Sequence, residues 1–491
     1  MTKNNLANIA SNTPATFFLK LWQITSALTA SQRTTGENPP TDFIKEVDAA
    51  LTEDSGNGAY KRLEALETGF KGSKQEINGM RLAIMVRIDQ AFLLIHPRSV
   101  LVSAASAKRP VVAKWLREIR DNRIVTGNYF ESGQFLVIPR GPLVRNARTE
   151  YVANAENLAD RFTAVTVINL SAAQLDKPIV VRHKIIGPDA ARGVGLGKKD
   201  GREHIAFIPV AELASELTIS ERLIPNGSIL LDYRLDETIK PSERIIGALK
   251  LIDDIDIAIA PELVMTEVQA DELSIACLVE DFNSPRIIIA GSGQTTSQED
   301  EQSWNEARII NGLGAELWRQ RKIWPAGITS SQAVDLRLSS EGSGLYMEDT
   351  ASGTELLIVD VDGLGRCVVL ICQDIKLAAV HSLLDQFQPD WVFTPILDKG
   401  VDIGRWAHQE VFALSEISRA RFLICTSTSL ALKLDSKATP HCALALGPKT
   451  SDNDDEGGLV TKSKVVEGSS PGYAFLAWRD GKWDKTSLGT R

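Results

Sequence analysis

Long apolar runs are missing from this sequence. No window reaches the roughly 18 uninterrupted apolar residues that a membrane-spanning helix requires, and the run Val392–Leu397 is closed by Asp398 and Lys399. The start Met1-Thr2-Lys3-Asn4-Asn5 is polar, and the apolar stretch Phe17–Leu21 is interrupted by Lys20 with no small-residue cleavage site after it. That pattern reads as the first helix of a cytoplasmic protein, not as a secretory leader. Cysteine is scarce as well: five residues, Cys277, Cys367, Cys372, Cys425 and Cys442, with no C-x-x-C pair. An odd number at such spacings argues against a disulfide scaffold or zinc ribbon and predicts thiols in a reducing compartment. The six histidines form no H-x-x-x-H or H-E-x-x-H pattern, so spacing supports no metal site and weakens any serine or cysteine mechanism that needs histidine. No internal repeat or long low-complexity tract is present.

What remains is an ordinary globular composition, with 43% hydrophobic, 24% charged and 6% aromatic residues in a chain of 491. That length exceeds one ordinary core, so two or more domains are expected. The net charge of −9 is unevenly spread. Residues 1–225 carry 29 Lys and Arg against 23 Asp and Glu, and residues 226–491 carry 25 against 40, which is +6 and −15. The stretch Lys108–Arg148 holds nine basic and three acidic residues. It reads either as a solvated basic helix face or as a surface for an anionic partner.

The first half opens with helical patterns: Thr13-Pro14 starts one that runs to about Leu28, and Thr41–Leu51 and Gln75–Ile95 follow. Arg123–Thr126 and Gln134–Pro139, separated by Gly127 and Gly133, predict a β-hairpin, and Phe162–Leu170 and Ile179–His183 further strands. The glycine-rich stretch Ile185–Ile205 predicts a loop; Gly193-Val-Gly-Leu-Gly-Lys lacks the spacing of a phosphate-binding loop. The domain boundary is expected at Ile224-Pro225-Asn226-Gly227, where turn residues coincide with the change in charge.

The second half alternates strands and helices. Ser228–Tyr233 is an apolar run, Pro241–Leu251 a helix, Asp256–Ala260 a strand, Val268–Glu280 a helix and Arg286–Ala290 a strand. Two hairpins follow: Ala307–Ile310 with Ala315–Lys322, turning at Asn311–Gly314, and Glu355–Val359 with Arg366–Ile371, turning at Asp362-Gly363. Hairpins combined with crossover helices predict an α/β fold with a mixed sheet. Three polar residues, Glu262, Lys322 and Cys372, fall where strands end, the usual position of a site in such folds. Taken singly, each has a plain structural explanation: Glu262 as a helix cap, Lys322 as a surface lysine in a basic run, Cys372 as inert packing on an apolar strand.

Together, Ala260-Pro-Glu262, Arg321-Lys322-Ile323 and Gly365-Arg-Cys-Val-Val-Leu-Ile-Cys372-Gln-Asp374 resemble the nitrilase, or carbon-nitrogen hydrolase, superfamily over roughly residues 226–480. Asn305-Glu-Ala-Arg-Ile-Ile-Asn-Gly-Leu-Gly, Pro389-Asp-Trp-Val-Phe-Thr-Pro395 and Arg419-Ala-Arg421 support the resemblance. Two features depart from it: Ile375-Lys-Leu-Ala-Ala stands where the family has an aromatic-proline-glutamate turn, and only His441-Cys442 stands for a later Gly/His-Ser turn.

The helix and strand patterns of the first half predict an α+β region of unknown role over residues 1–225; after it, the resemblance implies an α-β-β-α sandwich over residues 226–491. It implies Cys372 as nucleophile, Glu262 as general base and acid, and Lys322 with the backbone N–H of Gln373 as stabilisers of the developing negative charge. It also implies a positioning glutamate, for which Glu348 fits better than Glu341, although both also read as solvated loop residues. The substrate expected is a small amide in preference to a nitrile, with no cofactor or metal, and the enzyme is expected to be a homo-oligomer. The lipoprotein acyltransferases are set aside for want of membrane spans. The NAD synthetases are set aside because Ser-Gly-Gly-x-Asp-Ser is absent, Gly291-Ser-Gly-Gln-Thr not being that loop. A reading of another class stays open: an effector or scaffold whose hydrolase-like half binds a small ligand, while the basic half binds nucleic acid or a protein.

Overall fold

The structure is a computed structural model of the 491-residue chain, and it describes residues 12–34, 39–96, 112–141, 158–170, 179–187, 203–225, 227–252, 255–280, 282, 285–295, 302–338, 346–448, 461–466, 472–479 and 482–490. The chain divides into two compact units, Met1–Ala172 and Ala173–Arg491.

The first unit carries helices Pro14–Ser26, Ala30–Thr34, Thr41–Leu51, Gly56–Gly69, Lys74–Phe92 and Lys114–Thr126, and a three-stranded antiparallel sheet of β1 (Phe130–Ser132), β2 (Phe135–Pro139) and β3 (Val165–Asn169). Thr13 closes a capping box ahead of Pro14, as does Ser73 with Glu76 ahead of Lys74, satisfying backbone N–H groups that the first turn leaves without partners. Phe17, Phe18, Leu21, Ile84, Ile88, Phe92 and Trp115 share one core. Buried Asp89 fixes the entry to β3 by accepting from the N–H groups of Thr163, Ala164 and Val165 at 2.8, 2.8 and 2.9 Å.

Arg123–Thr126, expected as a strand, is instead the last turn of the helix Lys114–Thr126. Trp115, Leu116 and Ile119 repeat at helical spacing and are buried, and Gly127 ends the helix at φ +83°, a left-handed stop that glycine adopts without strain. The hairpin forms one step later, between β1 and β2. Lys114 and Arg117 of the basic stretch are exposed on that helix; Lys108, Arg109, Arg145 and Arg148 lie outside the described residues, as do residues 188–202 of the glycine-rich stretch.

The second unit holds two seven-stranded sheets. Numbering strands in chain order, the first runs β11 (Glu316–Arg321), β10 (Trp304–Ile310), β9 (Ile287–Thr295), β8 (Ile257–Ile259), β5 (His204–Phe207), β20 (Gly472–Arg479), β21 (Lys482–Thr490). The second runs β19 (Thr461–Val466), β18 (Ala443–Pro448), β17 (Arg421–Thr426), β16 (Trp391–Ile396), β15 (Gly365–Val369), β14 (Glu355–Val361), β4 (Val180–Ile186). Both are mixed: β5, β8 and β9 run parallel and β9, β10 and β11 antiparallel, while β15, β16 and β17 run parallel and β17 and β18 antiparallel.

Strand parity produces the layers. Ala258, Ala260, Ile288 and Ala290 pack with the helices Pro241–Lys250 and Glu267–Val279, whereas the alternate residues Ile257, Ile259, Ile287 and Ile289, equally inaccessible, turn to the opposite face. On that side β9 meets β16 and β11 meets β14. Gln320 bridges the sheets, donating to the Glu355 carbonyl at 2.8 Å and accepting from Leu357 N–H at 3.0 Å. The helices Ala378–Phe387 and Trp406–Ser418 pack together beyond the second sheet, so the order of layers is helix, sheet, sheet, helix.

The division between units falls well before the expected boundary at residues 225/226. Ile224, Pro225 and Gly227 lie between the strands of a hairpin joining β6 (Leu217–Leu223) to β7 (Ile229–Leu235), closed by Ile224 N–H to Ser228 O at 3.0 Å, with Gly227 at φ +82°. Turn residues of this kind look alike in a hairpin and in a linker. Both β4 and β5 lie upstream of that turn yet pair within the two large sheets. The hairpin belongs to a separate four-stranded sheet in the order β12 (Gly327–Ile328), β13 (Tyr346–Glu348), β7, β6.

Candidate active site

Alternation along β11 decides the fate of Lys322. Trp318 and Gln320 point inward and Lys322 continues their side, all three at most 2% exposed. Arg319 and Arg321 point the other way and are taken up by Glu306, at 3.1 and 3.0 Å. The lysine in a basic run is therefore the buried member of that run. The Lys322 carbonyl accepts from Gly353 N–H at 2.7 Å, an approach so close that a Cβ on Gly353 would meet that oxygen at 2.8 Å.

Glu262 leaves β8 through Pro261 and does not cap the next helix, whose cap is Thr266. It is 2% exposed, and Leu397 N–H at the end of β16 donates to its Oε2 at 2.9 Å. The turn is held against β9 at Gly291, φ +81°, where a Cβ would meet the Pro261 carbonyl at 2.3 Å. Leu263 follows at φ +61° and Cys372 stands at φ +50°. Left-handed backbone costs a non-glycine residue about 1–2 kcal/mol, so two loops of the site each hold a residue in a conformation that the surrounding fold must impose. Cys372 opens the 3₁₀ turn Cys372–Lys376 directly beyond β15.

Lys322 Nζ donates to Glu262 Oε1 at 2.6 Å and also to Glu348 Oε2. Asn305 Nδ2 spans the two carboxylates, at 3.0 Å from Glu262 Oε1 and 2.7 Å from Glu348 Oε1, and Ala326 N–H donates to Glu348 Oε2 at 3.0 Å. The Cys372 thiol lies close enough to Glu262 for each to influence the other's proton affinity. Thus Glu262, Lys322, Cys372 and Glu348, far apart in the chain, meet in one place; Glu341 lies outside the described residues. Gln373 lines the same cavity, and its side-chain amide reaches the Gly327 carbonyl at 3.5 Å.

Burial raises the Glu262 carboxyl, with Lys322 opposing and Glu348 adding to the rise. Burial works against the Lys322 ammonium, but Glu262 and Glu348 outweigh it and hold its pKa well above the ordinary lysine value. Burial, reinforced by Glu262 and countered by Lys322, pushes the Cys372 thiol well up. The site thus holds a thiol made harder to ionise, a carboxyl made more basic and an ammonium whose charge its two partners favour. A thiol of this kind can react only if a neighbouring base takes its proton, and Glu262 is the carboxyl beside it.

Asn305 and Asp374 were quoted within motifs but given no role by sequence reasoning. Asp374, 0% exposed, accepts from the N–H groups of Ile371, Ile323 and Trp324 at 3.2, 3.1 and 2.8 Å, tying the cysteine turn to the lysine strand. Tyr233, at the end of the apolar run in β7, was missed altogether. The cavity these groups line measures about 440 Å³; Ile328, Leu336, Leu430 and Trp406 form much of its apolar wall, and Lys376, Lys399 and Arg405 its cationic part. Among the described residues no group of His, Cys, Asp and Glu is placed to hold a metal ion, and no helix is long and apolar enough to cross a membrane.

No family model and no curated protein matches this chain. Solved structures of nitrilase superfamily members do align with it. Nit3 of Saccharomyces cerevisiae, a member of branch 10 of that superfamily, is 13% identical and aligns over 57% of this chain and 90% of its own, with a TM-score of 0.34. A mutant amidase from Nesterenkonia sp. AN1, bearing the acetamide moiety of fluoroacetamide on its active-site cysteine, is 12% identical over 57% and 92%, with a TM-score of 0.36. The NitFhit protein of C. elegans is 15% identical over 56% and 60%, with a TM-score of 0.33.

Proposed function

We propose that residues 173–491 form a nitrilase-type carbon-nitrogen hydrolase that cleaves small amides through a cysteine acyl-enzyme. The observation that carries this reading is the convergence of Glu262, Lys322 and Cys372 on one cavity, with Lys322 Nζ 2.6 Å from Glu262 Oε1. In the first half-reaction Cys372 Sγ attacks the amide carbon while Glu262 takes the thiol proton. Negative charge builds on the carbonyl oxygen, where Lys322 and the Gln373 N–H stabilise it; a donor of this kind is worth about 3 kcal/mol of barrier. The C–N bond then breaks, Glu262 passes its proton to the nitrogen, and ammonia or an amine leaves a thioester. Water attacks the thioester carbon, Glu262 takes a proton from it, and the collapsing intermediate releases the carboxylic acid and restores the thiol. Raising the basicity of Glu262 by burial suits a group that must both accept and return a proton. Glu348 and Asn305 act through Lys322 and Glu262, as positioning residues.

The test is intact-mass spectrometry after incubation with a panel of amides, comparing the native protein with Glu262→Gln. In rapid mixing the native protein is expected to acquire a transient acyl adduct confined to Cys372, and Glu262→Gln to acquire it far more slowly, because acylation and deacylation use the same carboxylate. If neither protein is modified by any amide, nitrile or carbamoyl compound, the effector or scaffold reading replaces this one.

A further inference from the structure

Tyr233 has no place in the scheme just given, yet it borders the same cavity as Cys372. It stands on the β6–β7 hairpin, which belongs to neither large sheet and reaches the site by pairing β7 alongside β13, with Leu231 opposite Glu348. The hairpin is pinned there by Asp349 N–H to Leu231 O at 2.8 Å, by Arg222 gripping both Asp349 oxygens at 2.8 Å, and by Gln294 Nε2 to Asp232 Oδ1 at 2.5 Å. The Tyr233 ring packs against the cluster of Ile229, Leu231, Ala333 and Tyr346, so its position is set by apolar neighbours. Its hydroxyl makes no hydrogen bond among the described residues, although it lies close enough to feel Glu348, Lys322, Glu262 and Cys372. Burial, with Glu348 and Glu262 adding and Lys322 opposing, keeps the phenol above its ordinary value and hence protonated. A donor held in place on the wall of a cavity beside the reacting groups has its natural acceptor in the ligand.

We propose that Tyr233 is a specificity-determining residue: its phenol donates to an oxygen on the acyl part of the substrate, next to the scissile carbonyl. The substrate class is then an amide whose acyl chain carries a hydroxyl, oxo or carboxylate oxygen, in preference to a plain alkyl amide. The proposal rests on the hydrolase reading above, since it needs an acyl group delivered to Cys372. It adds to that reading a residue from an element that supplies none of the reacting groups.

The experiment compares lactamide with propionamide, which differ by one hydroxyl, as competing substrates of the full chain and of Tyr233→Phe, following acylation of Cys372 by mass. The native protein is expected to favour lactamide by about tenfold, the scale of one net hydrogen bond to a ligand. Tyr233→Phe is expected to erase that preference while changing the propionamide rate by about twofold or less. If the variant keeps the preference, or loses both rates in equal proportion, the proposal is overturned and the hydrolase reading stands. If neither amide acylates Cys372 while another compound of the panel does, the proposal is overturned and the hydrolase reading stands; if no compound of the panel does, both fall.

Discussion

Replacing Glu348 by glutamine is the sharpest test of how the charges in the site support one another. The Glu348 carboxylate accepts from Lys322 Nζ and Ala326 N–H through Oε2 and from Asn305 Nδ2 through Oε1. A glutamine keeps the shape but turns one oxygen into a donor. Placed toward Oε2, that NH₂ faces both Lys322 and Ala326 N–H. Placed toward Oε1, it faces Asn305 Nδ2, and only rotating the Asn305 amide, at the expense of its bond to Glu262, relieves the clash. At least one hydrogen bond is lost either way, and the ammonium keeps one carboxylate partner in place of two. A hydrogen bond to a charged group is worth about 1.5–3 kcal/mol, and breaking a buried ion pair costs about 3–5 kcal/mol. Since Glu262 still partners Lys322, a loss of about 3 kcal/mol is expected. If half or more of that appears in the barrier, acylation of Cys372 slows by about tenfold to a hundredfold. The assay pairs thermal unfolding with the acylation rate measured by intact mass. The melting transition of the second unit is expected to fall by several degrees. A Glu348→Gln protein that melts and acylates like the native one would refute the argument.

Three other outcomes follow from the same geometry. Because burial raises the Glu262 carboxyl, acidification removes its base form earlier than for an ordinary glutamate near pH 4.3; the acylation rate should fall on the acid side with an apparent pKa above that value, and an acid limb at or below it would contradict the assignment. The Asp374 carboxyl is pushed up to about 7 by burial, against Lys322 and its three backbone donors. Its folded pKa thus exceeds the unfolded value of about 3.9, so its contribution to stability is full below the unfolded value and is lost as pH rises through about 7; denaturant unfolding of Asp374→Asn should show a shallower decline over that window, and identical profiles would show that Asp374 does not titrate there. Lys114 and Arg117, exposed on the helix Lys114–Thr126, are the part of the basic stretch open to test. If that face holds an anionic partner, Lys114→Glu with Arg117→Glu in the full chain weakens binding to heparin and flattens its salt dependence, whereas unchanged retention leaves these two as solvated charges.

The positions of Glu262 and Cys372 were legible because each follows an apolar strand, and that of Lys322 because it ends the second strand of a hairpin marked by the turn Asn311–Gly314. Their convergence was not legible, since it depends on β8, β11 and β15 being placed in two facing sheets, a matter of long-range pairing. Arg123–Thr126 resembled a strand because Ile124 and Val125 are β-branched, but both are exposed in the structure and the helix continues to Gly127, whose N–H donates to the Arg123 carbonyl at 2.7 Å. The boundary was misplaced at Ile224–Gly227 because the turn chemistry of a hairpin was taken for that of a linker.

Local chemistry along the chain thus determined the helix starts, the strand ends and which ionisable groups stand at them, for these depend on neighbours a few residues away. The tertiary structure alone decided that Lys322 is the inward member of its basic run, that one amide bridges two carboxylates, and that an extra hairpin carries Tyr233 to the cavity. Those outcomes depend on which strands pair and which faces are buried, and the free energy that selects them comes from contacts between segments far apart in sequence.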